Sequence, residues 1–277
     1  MPPSSPRRRS SKPQGQVTRG KTAHNRLRQT DHFILRYDPG LLTRTDGPFA
    51  EALFVDLGYG AEPFTTLESA ARFRRLNPEL GVLGVEIEPQ RVANALPYSD
   101  ERTAFRLGGF NLPLLPAETV RLVRAFNVLR QYEEKDVRPA WGQIAEGVLP
   151  GGLLLEGTSN PYGSIWAANL LRRVAGAGDP WLPEALVFYT NFRMGFDPAE
   201  FQTILPKNYI HRALPGEPLG KFFAAWKAAA AESAALRTFG LRQWFTGSAR
   251  LLARRGYRIA LQRKWLGRGW LLLFNPP

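Results

Sequence analysis

The sequence of 277 residues has no cysteine, two methionines and three histidines. Without cysteine the chain has no disulfides, no thiolate zinc ligands and no cysteine nucleophile. The scattered positions of His24, His32 and His211 do not give the ligand spacing of a metal site. The run of ~18 apolar residues that a membrane span needs is also missing, and the basic N-terminus lacks the apolar core of a signal peptide. We therefore expect a cytoplasmic protein without a metal centre.

Acidic residues are missing from both ends of the chain. Residues 1–30 and residues 240–277 each hold eight Lys or Arg and no Asp or Glu, within a net charge of +13. Such ends attract a polyanion, and we expect RNA or DNA to bind there with an affinity that falls as salt rises. A genome that favours arginine codons would give the same composition without nucleic-acid binding, so that alternative stays open.

The distribution of apolar residues indicates one folded domain with a tail. Residues 1–20 hold almost no apolar side chain, which predicts a disordered basic tail. Residues 21–277 have enough apolar content to bury one large core. Within them, residues 193–255 are predicted to be a helical insert, on which Arg250, Arg254 and Arg255 lie close together. We expect these arginines either to clamp a nucleic-acid backbone or to form a solvated face.

Residues 53–60 form an apolar run that ends in an acid and two glycines, LFVDLGYG. The run predicts a buried strand, and Gly58 and Gly60 predict a tight turn whose bare backbone is open to a ligand. A helix expected to begin near Thr65 directs its N-terminal amides at the same turn. A strand, a turn and a helix in this order form the place where doubly wound sheets bind nucleotides.

A second acid, Glu86, ends the next apolar strand. A carboxylate at this position accepts the two hydroxyls of a ribose. The glycine turn and the acid together predict an adenosine-containing ligand. The NAD fingerprint requires a third glycine at the position where this chain has Pro63, so a dinucleotide is disfavoured.

Three later segments complete the pattern: residues 105–114 read FRLGGFNLPL, residues 124–132 read RAFNVLRQY, and residues 149–157 read LPGGLLLEG. Over roughly residues 50 to 160 the order of elements resembles the class I S-adenosylmethionine-dependent methyltransferases, and LPGGLLLE is among the more specific parts of the resemblance. The segment RAFNVLRQY is similar to the sequence of a bacterial subgroup of that family.

The resemblance implies S-adenosylmethionine as the cofactor. Carried over position by position, it assigns the methionine end to Asp56, Gly58 and Gly60, with Tyr59 between them. It assigns the ribose to Glu86. The acid that usually meets the adenine amine is replaced here by Gly108 and Gly109, so the adenine is expected to contact Ile87, Gly109 and Phe110.

The fourth strand is expected to lead to the methyl-transfer end of the cofactor. The resemblance places Arg124 there, and Asn127 and Arg130 are the candidates for contact with the methyl acceptor. A strand end packed for structural reasons would have the same sequence, and that alternative stays open. Arg121, where the family often has Asp, is interpreted as a change on the surface.

The fold that the resemblance implies is an α/β, Rossmann-like methyltransferase fold with a mainly parallel seven-stranded sheet and the helical insert before the last strand. After the fifth strand we expect a helix over 162–174, a sixth strand over 186–190 and a last strand over 269–274 paired with residues 257–265. A short helix within 25–42 is expected to pack over the mouth of the cofactor site.

The sequence thus predicts a methyltransferase that transfers a methyl group directly to an acceptor, for which RNA is the first expectation. Direct displacement needs alignment more than a general base, and positioning supplies ~7–11 kcal/mol. One alternative is a small-molecule methyltransferase with an apolar pocket formed by Phe33, Trp166, Phe188 and the insert. Another is a non-catalytic adenosine- or RNA-binding protein on the same fold, which the changes at Gly108 and Arg121 leave open.

Overall fold

The computed structural model describes residues 12–17 and 23–276. The strands among them are β1 (Leu53–Leu57), β2 (Val82–Glu86), β3 (Thr103–Leu107), β4 (Val120–Phe126), β5 (Val148–Ser159), β6 (Ile165–Arg173), β7 (Trp181–Thr190) and β8 (Trp270–Phe274). The α-helices are α1 (Arg28–Tyr37), α2 (Pro39–Thr43), α3 (Phe64–Phe73), α4 (Pro89–Ala95), α5 (Glu134–Ala145), α6 (Lys207–Ile210), α7 (Pro218–Glu232), α8 (Leu241–Arg254) and α9 (Arg263–Leu266). Within these ranges every helix is too short or too polar to span a bilayer.

One sheet contains all of these strands in the order β3-β2-β1-β4-β5-β6-β7-β8. Strands β1 to β5 pair in parallel, and β5 to β8 pair in antiparallel fashion. The parallel half has the 3-2-1-4-5 order of a doubly wound, Rossmann-like sheet, as predicted. The prediction of seven strands is wrong, because the described sheet has eight and its last three form an antiparallel meander.

The segment 162–174 is mostly strand β6, and the predicted helix is wrong. Trp166, Ala168 and Leu170 face one apolar core, while Ala167 and Leu171 face two others. A strand that is buried on both faces loses the alternation of apolar and polar residues that marks a half-buried strand. Its apolar positions then match a helical spacing by coincidence.

The end of the chain also differs from the prediction. Strand β8 pairs with β7, which is longer than the predicted sixth strand. Residues 257–265 do not form the predicted partner strand: only Ile259 makes a bridge, to Leu273, and α9 begins at Arg263.

Helices cover both faces of the sheet. Helices α1 and α3 pack on one face and α5 packs on the other face of the parallel half. Helices α7 and α8, which lie between β7 and β8 in the chain, cover the antiparallel half around the fully buried Trp226. The Trp226 indole donates a hydrogen bond to the Ser248 hydroxyl (3.2 Å), so its polar atom is satisfied inside the core.

Arg121, expected on the surface, is fully buried. Its guanidinium donates to five backbone carbonyls, those of Ala52 (2.7 Å), Leu41 (2.9 Å), Leu42 (3.0 Å), Arg44 (3.0 Å) and Phe49. Several of these carbonyls belong to the C-terminal end of α2, where a cation is favoured. Burial lowers the pKa of Arg121 from its ordinary value. The residue therefore joins β4 to the segment before β1.

We predict that Arg121→Met lowers the free energy of unfolding by about 3–5 kcal/mol, because buried carbonyls lose their donor. The matched control is Arg138→Met, since the Arg138 side chain is 81% exposed and its ion pair with Asp179 lies at the surface. The control should change stability by less than about 1 kcal/mol. Urea unfolding measures both; similar losses in the two variants would contradict the structural role of Arg121.

Candidate nucleotide site and the basic cleft beside it

The strand order reverses between β1 and β4, and ligands of doubly wound sheets bind at the carboxyl ends of the strands beside such a point. A cavity of about 20 Å³ lies at this edge. Five of the predicted cofactor residues line it: Gly58, Glu86, Ile87, Gly109 and Phe110. The structure thus brings together residues from the ends of three different strands.

The glycine turn after β1 has the conformation that the sequence predicted. Gly58 and Gly60 have φ angles of 71° and 92°, in the region that favours glycine. The Gly58 amide donates to the Val85 carbonyl (2.7 Å), and the Gly60 amide donates to Glu86 Oε2 (2.9 Å). The end of β2 therefore holds the turn in place.

Glu86 is buried at the centre of this arrangement. Besides the Gly60 amide, its carboxylate accepts from the Ile87 amide at Oε1 (2.9 Å) and lies 3.7 Å from Arg91 Nη1. A carboxylate offers about four acceptor positions. Glu86 thus combines a structural role with capacity for the hydroxyls of a ligand.

Asp56 and Arg124 lie beneath the cavity and do not line it. Asp56 Oδ2 accepts from the hydroxyls of Thr65 (2.8 Å) and Thr66 (2.9 Å) at the start of α3. The fully buried Arg124 guanidinium approaches Asp56 Oδ2 to 2.8 Å and also pairs with Asp31 of α1. Burial acts to lower the pKa of Arg124, but the two carboxylates outweigh it and raise that pKa. These groups position the site.

Tyr59 is likewise turned away from the cavity. Its ring is buried against Phe105 of β3, with ring centroids 5.4 Å apart, and its hydroxyl lies 3.3 Å from the Arg91 carbonyl. Its contact with the cofactor remains a prediction, as do those of all the other residues assigned to the cofactor.

The two candidates for acceptor contact lie beyond the cavity, after β4. Asn127 has a φ of 61° and binds Ser159 through both amide atoms, accepting from the Ser159 backbone (3.0 Å) and donating to its hydroxyl (3.2 Å). Arg26 also donates to that hydroxyl (3.1 Å). Arg130 is exposed. The pKa of Arg26 is lowered mainly by the burial of Arg26 itself, and secondly by the positive charge of Arg130. Asn127 thus joins the ends of β4 and β5.

Residues 12–17 lie over the cavity, although the sequence placed them in a disordered tail. The Phe110 amide donates to the Gln14 carbonyl (2.9 Å), the Gln14 amide donates to Asn111 Oδ1 (2.9 Å), and the Gln16 amide donates to the Tyr132 hydroxyl. The remainder of the predicted tail lies outside the described residues. Sequence reasoning also missed Tyr132 and Val128, which line the cavity. Only their place after the fourth strand could have indicated them.

A much larger cleft of about 1080 Å³ opens at the same edge of the sheet, on the side of the antiparallel strands. Among the described residues, seven cationic side chains line it and no carboxylate does; the seven are Arg28, Arg36, Arg193, Arg242, Arg263, Lys264 and Arg268. Residues from the two basic ends of the chain therefore meet here. None of the seven forms an ion pair with a carboxylate of the described ranges.

The charges of this cleft act on one another. Burial and then the charge of Arg268 lower the pKa of Arg36. Burial, followed by the charges of Arg36, Arg28, Arg72 and Arg268, lowers the pKa of His32 on α1. Such mutual repulsion is relieved when an anion enters. The cleft is therefore suited to a ligand with several negative charges.

The three arginines predicted as a clamp lie outside this cleft. Arg250 and Arg254 are exposed on α8, and Arg255 pairs with Glu232 at 2.6 Å and donates to the Ala225 carbonyl (2.8 Å). Arg255 is thus used within the protein, which favours the solvated-face interpretation for this group.

No protein-family model matches the chain, and no curated protein matches it either. Among solved structures, the chain is similar to a pericyclic reaction enzyme, with 17% identity, a TM-score of 0.31 and coverage of 39% of this chain and 27% of that one. It is similar to the magnesium protoporphyrin IX methyltransferase of Synechocystis PCC 6803 with bound SAH, with 15% identity, a TM-score of 0.35 and coverage of 48% and 56%. It is also similar to the N-methyltransferase NodS of Bradyrhizobium japonicum WM9, with 13% identity, a TM-score of 0.35 and coverage of 56% of this chain and 92% of that one.

The chain spans less than two thirds of the first two of these structures. Two of the three are methyltransferases, the class that the sequence resembles. The fold assignment rests on this chain's own strand order and on the geometry of its strand ends.

We predict that Glu86→Ala weakens the binding of S-adenosylhomocysteine by about tenfold to a hundredfold, because a charge-assisted acceptor worth roughly 1.5–3 kcal/mol is lost. The matched control is Glu88→Ala, which removes the same charge from a more exposed side chain that does not line the cavity. Isothermal titration calorimetry measures both, with thermal unfolding as the check that each variant is folded. Unchanged affinity in Glu86→Ala and in Gly58→Val would remove the assignment of this site.

Proposed function

We propose that this protein is an S-adenosylmethionine-dependent methyltransferase whose methyl acceptor is RNA. One observation carries the proposal: a nucleotide-type site and a large cationic cleft open at the same edge of one doubly wound sheet. The first suits an adenosine-containing cofactor and the second suits a polyanion.

The donor set at the cavity supports the cofactor assignment. Glu86 supplies a buried acceptor for ribose hydroxyls. The Phe110 amide supplies a hydrogen-bond donor, and a ring nitrogen of adenine can accept a hydrogen bond from such a donor. The turn at Gly58 leaves bare backbone at the end of β1. Bound there, the cofactor would supply an activated methyl group. The protein's own contribution is to align the acceptor with this methyl group. Direct transfer of the methyl group then requires no general base.

The connection between the two sites supports transfer from one to the other. Val128 lines the cavity, and its neighbour Asn127 binds Ser159. Ser159 in turn binds Arg26, whose backbone packs against Gly163 in the wall of the cleft. Asn127 and Arg130 therefore keep the role of candidates for contact with the acceptor.

The composition of the cleft supports RNA as the acceptor. Phosphates provide several negative charges along one strand, and basic grooves with aromatic side chains bind single strands by charge and base stacking. Tyr162 in the cleft wall is 82% exposed, with its ring available for stacking. Cytoplasmic location, expected from the sequence, is part of the same proposal.

The three aromatic residues that the small-molecule alternative assigned to one apolar pocket do not lie together. Phe33, Trp166 and Phe188 are all fully buried. The first two belong to one core and the third to another, on the opposite face of the sheet. They fill space between elements of the fold and line neither the cavity nor the cleft.

We predict that the protein transfers label from methyl-labelled S-adenosylmethionine to RNA in total cell extract. Ribonuclease treatment should remove the labelled band. Label in small molecules would favour the small-molecule alternative. Cofactor binding without any transfer would favour a non-catalytic protein, and the absence of binding would reject the fold-based assignment as a whole.

We further predict that the triple variant Arg242→Gln, Arg263→Gln, Arg268→Gln weakens RNA binding broadly across sequences and lowers its salt dependence, because phosphate contacts position the strand without specifying its sequence. The matched control removes the same charge from Arg250, Arg254 and Arg255 by the same substitutions. Filter binding at two salt concentrations measures both. A larger loss in the control would place RNA on α8, and equal affinities throughout would remove RNA from the proposal.

A further inference from the structure

Residues 12–17, here called the strap, are held over the nucleotide cavity by six hydrogen bonds among the described residues. Asn111 makes two of them, donating to the Lys12 carbonyl (2.9 Å) and accepting from the Gln14 amide (2.9 Å). Gln131 makes two more, to the carbonyls of Gln16 (3.2 Å) and Val17 (2.9 Å). The Phe110 amide and the Tyr132 hydroxyl make the others.

The middle of the strap lies where the adenine ring is expected. Gly15 is so enclosed that a Cβ on it would lie 3.0 Å from the Tyr132 hydroxyl and 3.1 Å from Ile87 Cδ1. Gln14 packs directly on Gly109, leaving no room for a side chain there. Ile87, Gly109 and Phe110 are the groups assigned to the adenine, and all three contact the strap.

The space that remains decides between two roles for the strap. A cavity that holds one water molecule needs roughly 10–15 Å³, so the cavity of about 20 Å³ has room for little more than that. Sites for small molecules and cofactors measure roughly 300–1,000 Å³. A strap that only covered a bound ligand would leave the volume of that ligand beneath it. This strap fills the volume itself.

We propose that the strap is an internal competitor of the cofactor, which binds only when residues 12–17 leave the cavity. This inference rests on the proposed function, since it concerns the same site. The strap and the adenine would compete for the Phe110 amide. This amide donates to the Gln14 carbonyl in this structure, and it is also the donor assigned to the adenine. The apparent dissociation constant is then the intrinsic constant divided by the fraction of molecules with the strap withdrawn.

The test weakens the strap without changing the cavity. Asn111 and Gln131 make four of the six hydrogen bonds, and neither side chain lines the cavity. In the full chain, the double variant Asn111→Ala, Gln131→Ala should bind S-adenosylhomocysteine at least about tenfold more tightly, because the withdrawn state becomes more populated. The matched control is Gln90→Ala, Asn94→Ala, which removes an exposed pair of the same residue types on α4 and should leave affinity unchanged.

Hydrogen exchange of the strap amides gives a second readout that does not depend on activity. Addition of S-adenosylhomocysteine to the full chain should speed the exchange of the Gln14 and Gln16 amides, whose acceptors are Asn111 and Tyr132. Slower exchange, or weaker or equal binding by the double variant, would overturn the proposal and make the strap a cover over the bound ligand or a bystander. Absence of binding by both the full chain and the double variant would overturn the cofactor assignment, and the strap's role with it.

Discussion

The buried ion network of Asp31, Arg124 and Asp56 is the interaction on which the site depends. It joins α1, β4 and β1, and through Thr65 it reaches α3. A guanidinium without these carboxylates would be a buried charge that costs several kcal/mol. The four elements are therefore held in one arrangement, and the glycine turn above them has a fixed base. Glu86 then closes the turn from the neighbouring strand.

The antiparallel half of the sheet gives the site its second part. The turn from β5 to β6 and the connection from β7 to β8 lie at the edge where the parallel strands end, so the start of β6, the end of β7 and the start of β8 meet there. Helix α1 and the segment around α9 approach the same edge from the two ends of the sequence. Charges that are far apart in the chain thus surround one cleft.

The sequence was sufficient for the parallel half of the fold and for five residues of the cavity, because Gly58 and Glu86 have local signals: a glycine directly after an apolar run, and an acid at a strand end. It was insufficient where burial on both faces hides the strand period, as in β6. Arg121 was misplaced for a related reason. An arginine in a sequence suggests the surface, and only the tertiary contacts reveal the carbonyls that compensate its burial. The strap has no recognisable pattern in the sequence, because it forms its six hydrogen bonds with its own backbone groups and not with its side chains.

The segment 258–260, which does not form the predicted strand, has a consequence for how the protein behaves at high concentration. The Ala260 amide donates to the Leu272 carbonyl (3.2 Å), and the Phe274 amide donates to the Arg258 carbonyl (2.9 Å). These bonds satisfy backbone groups along the outer edge of β8, which carries a run of apolar residues. An open apolar edge of this kind is a template for edge-to-edge aggregation. Three residues in an irregular conformation are enough to cap it, and the charge of Arg258 further discourages a second chain from pairing there.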